Sequence, residues 1–409
     1  MKLIIMSGLL LVTLFISGCT AGSNFDARLN PIVSPHRFSI AVWEWHTAVQ
    51  QTGRWILGRQ RKNNDEIGLV AEYFANLRSI NSFRAEMATA NASSQGNAPS
   101  ELERMLHLYQ ESQGVLAPDV EKVIEKQIRE TLTGLGIFNP TTRGKVSFPP
   151  VSFKLEELPA LLVISPRDRI ESVREVVLEQ DLTLKEKESI EGKVDKLGVS
   201  SLVVGVGGIA TYPTLVDGEA SLRSVIDTAA HEWLHQYLAF TPLGSRYVLD
   251  VTGLSRNYDI ATMNESLAGM VGKEIGALVY EKYYSKDDNG YEQTAEPEFD
   301  EAHSKESEFN REMREIRKAV DAYLARGEIE QAESFMEQKR QELALRGYYI
   351  RKLNQAYFAF HGTYADDPAF ENPIGLELKE LRSKSASLKE FLNTVAGMTT
   401  RQDLTNSLR

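Results

Sequence analysis

The sequence predicts an α+β protein: a small sheet, then a helix carrying two histidines, set between extensive helical N- and C-terminal parts. Three observations predict it. Two apolar, β-branched, glycine-punctuated runs, LPALLVISP at 158–166 and SSLVVGVGGIATYPTLV at 200–216, read as strands. The stretch that follows spaces His231 and His235 four apart, a helical interval. Almost everywhere else, apolar residues recur at helical spacing with charge between them.

The first residues, MKLIIMSGLLLVTLFISGCT, join a short positive start at Lys2 to an apolar stretch from Leu3 to Ile16 and small residues before Cys19. That is an export signal, short for a membrane span. Ile16-Ser17-Gly18-Cys19 resembles the lipobox of bacterial lipoproteins. The resemblance implies cleavage of a signal peptide (1–18), acylation of Cys19, and an extracytoplasmic protein anchored to a bacterial membrane. Cys19 is the only cysteine, so no intrachain disulfide forms. Residues 19–35, polar with two prolines, read as a tether.

An N-terminal helical region is expected over 36–145. It has aromatic bulk at Trp43, Trp45 and Trp55, and a helix over 66–87 that places Leu69, Tyr73, Leu77 and Ile80 on one face. A small-residue loop over 88–100 precedes two helices, 101–112 and 118–133, the second entered through Pro118. The core region, 146–285, holds the two strand runs with a charged helical segment (169–198) between them. A helix over 222–240 then stops at Pro242 and Gly244, and another covers 259–284. An acidic loop (285–307) opens the C-terminal helical region, 286–409. That region contains a hairpin over 308–358 turning at Gly327 and a helix pair over 374–398.

A net charge of -11 supplies no basic face and argues against nucleic acid as a partner. The stretch HEWLH at 231–235 carries the chemistry. Residues at i and i+4 stand one above the other, so both histidines can reach one ion. Glu232 lies about 100° round the helix, placed to contact a water on that ion without binding it. With seven histidines in the chain, chance produces the pattern in roughly one such chain in a hundred.

HEWLH followed by Asn264-Glu265 in TMNESLAGMVGKEIG resembles the gluzincin group of zinc metallopeptidases, thermolysin-like and aminopeptidase-type, across about residues 200–285. The resemblance implies a zincin-like core and a Zn2+ site of His231, His235 and Glu265. It also implies a peptide or protein substrate, hydrolysed with Glu232 as general base. No Gly-x-x-His follows, so the metzincin pattern is excluded. Thermolysin-like members carry an aspartate four residues after the zinc glutamate; here that position is Gly269. Gluzincins also bind substrate backbone along an edge strand upstream of the motif, which would place Gly207 and Gly208 in substrate binding. Tyr349, His361 and Tyr364 are candidates for stabilising an oxyanion. A catalytically inactive binding or chaperone-like lipoprotein on the same fold, and a zinc hydrolase of a non-peptide amide, are the competing readings.

Glu265, not Glu274, is the expected third ligand. Nine residues put the two about 180° apart on a helix. The face of Glu265 continues through Ala268, Gly269, Gly272 and Gly276, small residues that admit a second helix, while Glu274 reads as a solvated charge.

The lipobox reading has a direct test. Cys19→Ser should release the chain into the soluble extracytoplasmic fraction or stall it unprocessed. Normal processing with unchanged membrane association would refute it.

Overall fold

The computed structural model describes residues 24–44, 47, 65–92, 100–140, 147–285, 299–363 and 373–409. The leader, Cys19, Trp45, Trp55 and Tyr364 lie outside the described residues. Among the described residues no helix is long and apolar enough to cross a membrane.

The fold is α+β, with two small three-stranded sheets preceding the helix that bears the histidine pair. The first sheet has the order β3-β2-β4, from β2 (Ala160–Pro166), β3 (Arg174–Leu178) and β4 (Val199–Val204), all antiparallel. Its two faces are covered by different elements. Leu162, Ile164 and Val203 pack with Leu29, Val33 and Ile190, whereas Val163 and Leu202 pack with Ala356. Burial on both faces is why 158–166 is an unbroken apolar run instead of an alternation.

The second sheet is β1-β6-β5. β1 (Phe153–Glu156) runs parallel to β6 (Thr214–Asp217), and β5 (Gly208–Ile209) is an antiparallel edge. The run at 200–216 is therefore three strands divided between two sheets. The chain leaves the first sheet at Val204 and re-enters the second at Gly208.

Several expectations are corrected here. Residues 24–35 of the expected tether lie in α1 (Asn24–Val33) and a 3-10 turn (Ser34–His36), because Leu29 and Val33, four apart, both bury against the first sheet. The expected helix over 169–198 contains β3 and only the shorter α4 (Leu184–Asp195). Val176 and Leu178 alternate inward, and the helix begins at the capping box of Thr183 and Glu186. The two helices expected around Pro118 are one. α2 (Glu66–Ala92) packs on α3 (Ser100–Gly134), which runs through the proline. A mid-helix proline costs about 3 kcal/mol. Burial of Leu116, Val120, Val123, Ile124, Ile128 and Leu132 along one side offsets that.

The main core is built on α5 (Leu222–Leu238), α6 (Pro242–Val251) and α7 (Tyr258–Tyr284), with α2, α3 and the second sheet joining from the N-terminal side. From the C-terminal side come α11 (Pro373–Lys384), α12 (Leu388–Ala396) and α13 (Arg401–Ser407). Before them, α8 (Phe299–Ala325) and α9 (Ile329–Leu345) make the expected hairpin, turning at Gly327 with φ 73°. α10 (Gln355–Thr363) lies on the first sheet, anchored by Arg351 on the buried Glu191 and by Lys352 on Asp195 at 2.8 Å.

α5 and α7 approach each other closely, and glycine permits it. A Cβ on Gly272 would lie 3.0 Å from both the Cα and the backbone nitrogen of His231. One on Gly276 would lie 3.2 Å from the Cα of Asp227. The pairs 231–272 and 227–276 step in opposite directions, so the helices cross antiparallel.

Gly272→Ala should therefore destabilise the fold. Overpacking against backbone costs about 1–3 kcal/mol, more than the gain of up to about 1 kcal/mol from removing a helical glycine. Chemical denaturation measures it, and an unchanged midpoint would show that α5 and α7 have room to spare.

Candidate metal centre

α5 begins at Ser221, whose hydroxyl accepts from the amide of Ser224, and β6 delivers the chain to that point. The helix is fastened along its length. Trp233 donates its indole N–H to the carbonyl of Pro149 at 2.9 Å, and Gln236 donates to Thr214 Oγ1 at 2.8 Å and to the Thr211 carbonyl. These anchors fix the rotation of α5, so His231 and His235 face α7.

α7 starts at Asn257, whose side chain accepts from the Ile260 amide, and brings Glu265 opposite the histidines. The three side chains form a group able to hold a metal ion, their donor atoms lying within 4.8 Å of one another. The two histidine Nε2 atoms are 3.1 Å apart, and Glu265 Oε2 is 3.6 Å from His231 Nε2 and 3.4 Å from His235 Nε2. All three side chains are nearly closed to solvent.

The charges fit a site made for a cation. Burial opposes charging His235, yet the Glu265 carboxylate, with help from Glu232 and Asn264, outweighs it and lifts the imidazole to about 9. Burial would raise Glu265, but the two histidines hold it well below the ordinary carboxylate range. Burial raises Glu232, and His231 and His235 oppose that only in part.

Two neighbours hold these side chains in place. Asn264 Oδ1 lies 2.8 Å from His235 Nδ1, so the ring donates there and presents its Nε2 toward Glu265. Tyr247, on α6, donates its hydroxyl to Glu265 Oε1 at 2.6 Å and stacks on His235 with ring centroids 5.6 Å apart. Tyr247 was not legible in the sequence. It stands 12 residues beyond His235, across a helix break at Thr241-Pro242, and only the path of that corner brings it back.

The remaining candidates separate. Gly208, on edge strand β5, is pressed against α5: a Cβ there would lie 2.6 Å from Thr228 Cγ2 and 2.8 Å from Glu232 Cγ. Gly207 has only ordinary contact with Thr228, and Gly205 has open space around its missing side chain. Of the three glycines, Gly208 alone is required by close approach, and what approaches is the pair of side chains Thr228 and Glu232. Tyr349 is 87% exposed in the segment between α9 and α10 and is not part of the cluster. His361 packs on Tyr357 and Phe360 of its own helix. Glu274 is not a free solvated charge: Arg382 of α11 grips both its oxygens, at 2.6 and 3.0 Å. A cleft of about 460 Å³ opens beside Glu265 and Tyr247, with Glu175 of β3, Asp250, Arg256 and Phe360 on its walls.

Removing the group that orients a ligand histidine costs about 10–100-fold in metal affinity. Asn264→Ala should show a loss of that size in a zinc titration, and full affinity would mean that His235 is oriented by packing alone. Comparison with models of known protein families, with curated proteins and with solved structures finds no match, so the chemistry rests on the residues themselves: two half-buried histidines, His231 and His235, and the buried Glu265, a group able to hold a metal ion.

Proposed function

We propose that this chain is a membrane-anchored, extracytoplasmic zinc metallopeptidase of gluzincin type, hydrolysing peptide bonds. The observation that carries the reading is the shape of the donor triangle, with sides of 3.1, 3.4 and 3.6 Å. Ligands about 2.0–2.1 Å from a tetrahedral zinc stand about 3.3–3.4 Å from one another, so the three atoms match three corners. Two imidazoles and a carboxylate are also a donor set that zinc accepts, and three protein ligands leave the fourth position that catalysis needs.

When bound, zinc supplies Lewis acidity, acidifying water and polarising a carbonyl. The chain supplies the rest. Glu232 follows His231 on α5 without belonging to the donor triangle, which leaves its carboxylate free to act as general base. It takes a proton from water and returns it to the leaving amine. β5 ends its sheet directly above this glutamate, so a substrate backbone pairing with that edge would run past the base. Gly208 leaves Glu232 the room it occupies. Anchoring through Cys19 completes the proposal and rests on the sequence of the leader.

A binding or chaperone protein on this fold would need no general base, which favours the enzyme. The test is metal analysis of the full chain, purified in detergent, together with cleavage of a peptide library. About one zinc per chain and chelator-sensitive cleavage are expected. Glu232→Gln should keep the zinc and lose about 10²–10⁴-fold in rate, the usual contribution of a general base. Normal turnover by that variant would overturn the mechanism, and absence of bound metal would overturn the site.

A further inference from the structure

The carboxylate of Glu265 is held at both ends. Oε2 faces the histidine nitrogens at 3.4 and 3.6 Å, while Oε1 accepts the Tyr247 hydroxyl at 2.6 Å. We propose that Tyr247 is a positioning residue that keeps Glu265 a one-oxygen ligand, and thereby keeps a coordination position open for water and substrate. The proposal rests on the metal reading given above and assigns a role within it.

A carboxylate binds a metal ion through one oxygen or through both. Nothing in the carboxylate itself chooses between the two modes, and the second consumes room that a catalytic zinc needs free. A hydroxyl donating to a charged oxygen at 2.5–2.7 Å makes a strong bond, and Tyr247 is in that range. For Oε1 to turn onto the metal it would have to abandon the phenol. The phenol cannot follow, because its ring lies on His235 at an interplanar angle of 21° and is thereby tied to the other ligand. One side chain thus touches two ligands, supporting the imidazole with its ring face and restraining the carboxylate with its hydroxyl.

The two contacts can be removed separately. Tyr247→Phe keeps the stacked ring and deletes the hydroxyl, whereas Tyr247→Leu deletes both. Zinc K-edge X-ray absorption of the zinc-loaded full chain reports the carboxylate mode, because a chelating carboxylate brings its carbon close to the metal. The unsubstituted protein should lack that short zinc–carbon path. Tyr247→Phe should gain it, hold zinc at least as tightly, and lose turnover. Tyr247→Leu should bind zinc more weakly, since His235 loses its support. A Tyr247→Phe spectrum identical to that of the unsubstituted protein would overturn the proposal. So would a chelating carboxylate in the unsubstituted protein, a result that stands whether or not the variants fold. Failure of the unsubstituted protein to bind zinc would instead overturn the metal reading, and this proposal with it.

Discussion

The approach of α5 to α7 is the constraint on which the rest depends. A metal-binding group shared between two helices needs their backbones near enough for short side chains to meet, and most residues would hold the helices too far apart. At Gly272 the backbone of α7 lies directly on His231, and at Gly276 on Asp227. Glycine inside a helix is unfavourable by about 1 kcal/mol relative to alanine, so these positions cost stability that the surrounding core must restore. It does so with helices from both ends of the chain, which pack on α7 from α3 on one side and α11 to α13 on the other.

Closeness also creates an electrostatic problem. His231, His235 and Glu265 are nearly closed to solvent, and a buried carboxylate without a compensating charge costs several kcal/mol. The group is stable only with positive charge among its members. A proton on His235 can supply it, which is why that imidazole is lifted to about 9, and a metal ion can supply it in the same place. The outer partners Asn264 and Tyr247 have no charge to add. They fix which atoms point inward and leave the charge balance to the three donors.

The second sheet contributes less area than the first and more position. β5 is two residues long, yet it ends the sheet beside Glu232, and Gly208 brings backbone to within side-chain contact of the glutamate. The first sheet, covered on both faces, presents β3 to the cleft beside Glu265. On that wall Ser172 donates its hydroxyl to Glu175 at 2.8 Å. Strands of two different sheets therefore border the candidate metal centre from two directions.

What the sequence determined by itself is what local periodicity encodes. The 3.6-residue repeat placed His231 beside His235 and Glu265 on the small-residue face of its helix, and it located α2, α7 and the α8–α9 hairpin. Apolar β-branched runs located β2 and β4. Charged stretches misled where an alternation of two hid inside them: Arg174–Leu178 reads as helix until Val176 and Leu178 are seen to bury together. Pro118 reads as a boundary because its local cost is visible, while the buried face that outweighs it is a sum over distant partners. Tertiary structure alone decided the division of 200–216 between two sheets, the ion pair that occupies Glu274, and the return of Tyr247 to Glu265. Each depends on where a corner sends the chain and on which surface it meets there, and no repeat within a single element carries that information.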